Sequence, residues 1–330
     1  MRKSIQVLMV GLCVICLYGF FSGAAPAVAG EIVLKAVTGW PANDRMSTAP
    51  FFIFQEMVNK KLKGKVNIKY LGGPEVIPSF DLIEAVRTGV VDIANLPPAY
   101  YQRAVPEVAV MNLSQLNHRE SRQSGFYQAY NEIHQKKLNS FYYAWTNAEG
   151  LRYAIYLTKK IEKPDLTGLK LRGSPAYAPL IKALGAAVVI MPPPEVYTAL
   201  ERGMIDGMCW PNMGVTDYGW NEVVKYMIEH EFWRGAAVVL FNLDTWNKLP
   251  DDLRRELTDM AAELEDKSAE YYEKLRLEYH KLYKASGIQF IKFSPEDEKR
   301  YLDAIYKATK EDFLKTSPDV GEKLLKLVTK

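Results

Sequence analysis

Little in this chain points to covalent or metal chemistry. There are only 3 cysteines and 4 histidines in 330 residues. Cys13 and Cys16 lie in an apolar N-terminal segment, which leaves Cys209 alone and the rest of the chain without an internal disulfide. A single cysteine of this kind is more often a small apolar side chain than a nucleophile. His118, His134, His230 and His280 are scattered, with no H-x-x-x-H or H-E-x-x-H spacing, so no zinc site is expected. The patterns G-x-S-x-G, G-x-x-x-x-G-K and G-x-G-x-x-G are all missing, and with them the nucleophile elbow, the P-loop and the dinucleotide fingerprint. The net charge of +3 is too small and too evenly mixed to attract nucleic acid.

What is present begins with an export signal. Arg2 and Lys3 precede an apolar run from Ile5 to Phe21, and Ala27-Val28-Ala29 offers small residues where a signal peptidase reads. The alternative, a retained membrane anchor, has a run of almost sufficient length. The A-x-A site favours cleavage after Ala29, with residues 1–29 as the signal peptide and the mature protein in the periplasm. Cleavage leaves 40 basic against 39 acidic residues.

The mature chain alternates strands and helices. IVLKAV (32–37) and VNIKYL (66–71) read as strands flanking a helix over about 49–61. SFDLIEAVRTGVVDIANL (79–96) reads as helix, glycine stop and strand, with Ser79 the expected N-cap. The pattern recurs in EVYTALERGMIDGMCW (195–210): Ala85, Val86, Gly89 and Asp92 correspond to Ala199, Leu200, Gly203 and Asp206. A repeat 114 residues apart fits two similar α/β domains.

Between the two copies, LKLR, YAPLIKALG, AVVIM and PPPEVYTALERG-MIDGMCW form a β-α-β-α-β run, which predicts a parallel sheet. Its loops gather at the strand C-termini, where open α/β sheets bind ligands. Arg172, at the exit of LKLR, falls on that edge, as does Trp210. Residues 251–287 run 37 positions without internal proline or glycine. At 1.5 Å per residue such a helix spans roughly 50 Å, enough to bridge two domains. A strand over 288–293 and a helix from Ser294-Pro295-Glu296 close the chain.

No catalytic set emerges, but arginines and aromatics stand at predicted strand ends. Arg172 and Arg152 offer planar forks that hold a carboxylate by two parallel hydrogen bonds. A surface ion pair is the plainer role for either one. Trp210 could wall off the apolar part of an acid or be core. Trp40, Tyr100 and Asn147 are further candidates by position.

GLRYAIYLTKKIEKPDLTGLKLRGSP together with MPPPEVYTALERGMIDGMCWP resembles the solute-binding proteins of tripartite ATP-independent periplasmic (TRAP) transporters, dicarboxylate-type (DctP) family. The likeness is strongest over 150–211 and weaker along the rest of the mature chain. It implies a two-domain α/β periplasmic binding protein fold, type II-like and hinge-linked, with one long helix spanning both domains. The expected division is 30–152 plus about 235–265 for the first domain and 153–234 plus about 266–330 for the second. It implies no enzymatic activity, a small organic carboxylate as ligand (keto, hydroxy, dicarboxylic or aromatic), and TRAP permease membrane subunits as partners. A monomer is expected, with a dimer as the alternative. By the same resemblance Arg172 pairs with the ligand carboxylate and Arg152 stands near it. Trp210 replaces an asparagine that contacts ligand in sialic-acid binders, and Pro193 and Pro175 are further departures. Trp210 is more like members that bind keto or hydroxy acids, some with calcium; otherwise no cofactor is implied. A periplasmic sensor subunit and a secreted enzyme using Cys209 or a carboxylate pair are the competing functions.

Overall fold

Apolar alternation and glycine stops divide the chain between two sheets, and the chain crosses between them three times. The structure, a computed structural model, describes residues 30–146 and 150–330; the expected signal peptide with its cleavage point, and Asn147, lie outside the described residues. The order begins β1 (Ile32–Thr38), α1 (Arg45–Lys61), β2 (Val66–Gly72), α2 (Leu82–Arg87), β3 (Ile93–Leu96), α3 (His118–Gln123), α4 (Phe126–Leu138) and β4 (Ser140–Trp145). It continues β5 (Arg152–Leu157), β6 (Lys170–Gly173), α5 (Ala178–Ala183), β7 (Ala187–Ile190), α6 (Val196–Glu201), β8 (Gly207–Pro211), β9 (Tyr226–Ile228) and β10 (Phe232–Arg234). It ends β11 (Val238–Asn242), α7 (Leu243–Lys248), α8 (Asp251–Ala285), β12 (Gln289–Ile291), α9 (Pro295–Thr316) and α10 (Gly321–Val328).

The first sheet has the order β2-β1-β3-β11-β4 and the second β12-β9-β5-β8-β6-β7, with β10 on β5. β6 runs parallel to both β7 and β8, as the β-α-β-α-β pattern predicts. β5 runs antiparallel to β8 and β9, so the second sheet as a whole is mixed.

The repeated motif has the same structure in both lobes. Gly89 and Gly203 take φ of +78° and +65°, which ends each short helix and turns the chain into a strand. The next aspartate then closes a ring on the neighbouring strand. Asp92 N donates to Lys35 O at 2.9 Å, and its Oδ2 accepts from Lys35 N at 2.7 Å. Asp206 does the same to Lys170, at 2.7 and 2.9 Å. Ser79 differs from expectation: its hydroxyl donates to Gly39 O at 2.9 Å, and α2 starts three residues later without a side-chain cap.

α8 joins the lobes. Leu253, Leu257, Met260, Ala261 and Leu264 pack in a core of the first lobe, whereas Tyr272, Leu275, Tyr279 and Tyr283 pack in the core of the second. The other two crossovers pair with each other: Thr146 N donates to Ala237 O and Gly235 N to Leu151 O, both at 2.9 Å. A Cβ on Gly235 would lie 2.3 Å from the Leu151 side chain, so only glycine allows this approach. The C-terminal segment packs otherwise than the expected division. Phe313, Leu324, Leu325 and Val328 lie in the core that contains Val110, Tyr130 and Trp145 of the first lobe. α9 begins against the second lobe, through Tyr301 and Ile305, and carries the chain back.

α8 is fixed to the first lobe by charge as well as packing. Glu265, 3% exposed, accepts from Arg122 Nε at 2.6 Å and Nη2 at 2.9 Å, and also from Trp145 N at 2.8 Å. Removing one partner of such a pair leaves a buried charge unmatched. Arg122→Ala is therefore expected to lower unfolding stability by about 3–5 kcal/mol. A denaturation midpoint within 1 kcal/mol (about) of wild type would show that solvent already satisfies Glu265.

Candidate functional site

Arg172 is the third residue of the short strand β6, held on both sides by parallel neighbours, and its guanidinium packs against Trp210, which lines the space between the lobes. Arg172 is fully buried, at 0% exposure. Its Nε donates to Met191 O at 3.1 Å, and Nη1 makes a long contact of 3.4 Å with Cys209 O. Nη2 has no partner among the described residues. The guanidinium lies 5.3 Å from the Trp210 ring centre, a cation–π arrangement. A buried cation held only by carbonyl dipoles is costly unless an anion completes its shell.

Close to it both lobes contribute to one narrow cavity of ≈ 20 Å³, room for about one water in this closed arrangement. The first lobe supplies Trp40, Met46, Ser47 and Tyr100, and the second Tyr153, Tyr177 and Trp210. Trp40, Met46 and Tyr100 belong to the same apolar cluster as the second lobe's core, so the lobes are closed on each other. Tyr100 packs edge-on to Phe80 with centroids 5.0 Å apart, and Trp210 edge-on to Trp220 at 4.8 Å. Among the described residues, Tyr100 OH, Trp210 Nε1 and Ser47 Oγ in this wall are buried without hydrogen-bond partners, as is Ser174 Oγ, two residues after Arg172.

Arg172 is the charge these aromatics feel. Burial pushes the hydroxyls of Tyr100, Tyr153, Tyr177 and Tyr218 above the usual tyrosine range, and Arg172 opposes that rise in each. Burial likewise pushes the Cys209 thiol up, so it carries no thiolate for nucleophilic chemistry.

Trp40, Tyr100 and Trp210 are thus brought together with Arg172. Arg152 is not. Its backbone N donates to Asn212 Oδ1 at 3.3 Å, and the residue lines a separate cleft with Glu231, Trp233, Arg234 and Tyr306. In that cleft the Glu231 carboxyl is raised by burial, against the hydrogen bond from Asn212 and then the charge of Arg152.

Tyr153, Tyr177 and Ser47 were not legible as cavity residues. One sequence signal exists for the tyrosines. The tripeptide P-A-Y occurs at Pro98–Tyr100 and Pro175–Tyr177, each time as a 3₁₀ turn just past a strand end. Both turns present their tyrosine to the cavity.

Two α/β lobes joined by several crossing segments, closed on a cavity beside a buried cation, define a binding protein of the two-domain type. The profile of the bacterial extracellular solute-binding proteins, family 7 (DctP), matches residues 37–316, and the chain belongs to that family, the solute-binding proteins of TRAP transporters. It is 25% identical over 278 residues to a monocarboxylate 2-oxoacid-binding periplasmic protein of Nostoc sp., covering 79% of this chain and 74% of that one. Among solved structures, a TRAP solute-binding protein of Desulfovibrio salexigens with bound orotic acid superposes with a TM-score of 0.80 at 21% identity, covering 90% and 97% of the two chains. One from Bordetella bronchiseptica, with copurified calcium and picolinate, gives 0.78 at 22% identity, covering 90% and 92%.

Calcium requires six to eight oxygen ligands, carboxylates foremost. Among the described residues no three metal-ligating side chains cluster, and the cavity wall is aromatic around a cation. These residues do not fit a calcium ion.

Proposed function

We propose that this protein captures a small organic carboxylate in the periplasm and delivers it to the TRAP permease membrane subunits. The observation that carries the reading is Arg172, a fully buried guanidinium with one N–H group unpartnered and no carboxylate beside it among the described residues. A ligand carboxylate would complete its shell through a charge-assisted hydrogen bond. Trp210, Tyr100 and Trp40 would enclose the organic body, and Ser47 and the Trp210 indole would meet its oxygens. Arg152 would act outside this cavity, in the cleft it lines with Glu231. The acid would bind without calcium and leave unchanged. Because both lobes contact it, the ligand would stabilise the closed arrangement over the open one. The export signal, removed after Ala29, would place the mature protein where such a permease collects it.

A thermal-shift screen over keto, hydroxy, dicarboxylic and aromatic acids tests the class. A ligand at 100 times its Kd adds about 2.7 kcal/mol to folding stability, a readily measured rise in Tm. Silence of the whole organic-acid panel, with a response to sugars or peptides, would overturn the reading.

A further inference from the structure

We propose that the cavity selects acids with a single carboxylate, and that Asp44, closing the end opposite Arg172, is the residue that turns a second carboxylate away. The inference rests on the organic-acid reading above and narrows it.

The geometry is built from the start of α1. Asp44 is the N-cap of that helix and is 1% exposed; its Oδ1 accepts from Ser47 N at 2.9 Å. Ser47 and the intervening Met46 line the cavity directly. Across the cleft, Tyr218 OH donates to the other carboxylate oxygen of Asp44 at 2.8 Å, and the Tyr218 ring packs edge-on to Trp210 with centroids 5.6 Å apart. Asp44 thus stands immediately behind the wall that faces the ligand.

The charges around it sharpen the point. Arg172 lies 5.3 Å from the Trp210 ring centre, Trp210 packs on Tyr218 at 5.6 Å, and Tyr218 reaches Asp44, so the contacts from the cation to the acid run through two aromatic rings. Asp217 adds its own carboxylate on the Asp44 side, accepting from Arg45 N at 3.0 Å and from Tyr279 OH. The remaining groups facing Asp44 are Tyr279 and Tyr283 of α8, which carry no positive charge. The nearest cation in sequence, Arg45, makes a bidentate pair with Glu278 at 2.8 and 2.9 Å. Arg172 lowers the hydroxyls of Tyr100, Tyr153 and Tyr177, the three tyrosines that line the cavity. A second ligand carboxylate reaching the other end would lose its water and meet like charge.

The same feature makes selectivity depend on pH. Burial raises the Asp44 carboxyl to about 7, with Asp217 adding to the rise. A dicarboxylate can then be admitted only with a proton taken up, which is easy at pH 6 and costly at pH 8.5.

The test is calorimetry on the full mature chain with matched acids: 2-oxopentanoate against 2-oxoglutarate, and picolinate against quinolinate. At pH 8.5 the wild type should bind the monocarboxylate of a pair at least tenfold more tightly. Asp44→Asn, which keeps an N-cap oxygen, should narrow that gap at least threefold at pH 8.5 and little at pH 6. A dicarboxylate that binds the wild type as tightly as its partner sinks the inference, as does a gap that Asp44→Asn leaves unchanged. If neither member of either pair binds, both pairs are replaced by the best acid of the thermal-shift screen and its carboxylated analogue, read by the same two criteria. Failure of every acid, single or double, would sink the organic-acid reading itself and this inference with it.

Discussion

Arg172→Ala should weaken binding of the cognate acid a hundredfold or more, the largest loss expected from any single substitution in the cavity. A charge-assisted pair in a dry site contributes a few kcal/mol, and about 1.4 kcal/mol is a factor of ten. Arg172 is rigidly prepared for this, with Nε on Met191 O, the stem inside the β6 strand end and the guanidinium against Trp210. Lysine lacks the planar fork and cannot bond a backbone carbonyl and a carboxylate in the same geometry, so Arg172→Lys should recover less than a tenth of the lost affinity. Arg172→Met separates binding from folding. It keeps much of the side-chain volume and removes an uncompensated buried charge, so without ligand its Tm should equal or exceed that of wild type. Calorimetry and thermal melts on the three variants check this. An Arg172→Ala protein that binds within threefold of wild type has its anchor elsewhere.

The second large effect concerns Asp44 and pH. Its carboxyl is raised from 3.8 to about 7, first by burial, against the hydrogen bonds from Tyr218 and Ser47. The folded protein therefore holds a proton there that the unfolded chain has released over the window from about pH 4 to 7. Stability from this group falls as pH rises through that window, and the penalty is complete above about 7. A shift of roughly 3 units corresponds to about 4 kcal/mol as a ceiling. Asparagine caps helices as well as aspartate and carries no charge. Asp44→Asn should thus be more stable than wild type by about 1–3 kcal/mol at pH 8.5, and no more stable at pH 4. Denaturant titrations at the two pH values measure it. Parallel pH profiles for the two proteins would mean that Asp44 is ionised at no cost in the folded state.

The features that were legible in the sequence are those fixed by local chemistry. The turn built on Gly89 and Asp92 recurs at Gly203 and Asp206 because one backbone reversal and one short side chain determine it. The span of α8 follows from its uninterrupted length, and Arg172 follows from the parallel unit that aims β6 at the cleft. What was not legible depends on partners distant in the chain. Arg152 occupies the same kind of position as Arg172, yet Glu231, 79 residues on, sets its electrostatic surroundings. Tyr153 lies in an apolar strand, where nothing local separates a cavity wall from core. Asp44 carries no local mark of its burial, since its partner Tyr218 arrives from the other lobe.

One property of α8 bears on how the cleft can work. Between Leu264, the last apolar residue of α8 in the first lobe's core, and Tyr272, the first buried one in the second's, lies Ser268, whose hydroxyl donates back to Leu264 O at 2.7 Å. A serine bonded in this way competes for the carbonyl of its own helix and favours a bend there. The span is about 12 Å, roughly two helical turns. If the lobes part, this spring-like stretch must flex while the clamped halves on either side stay straight. Occupancy of the ligand cavity is then written as curvature in a helix that does not line it.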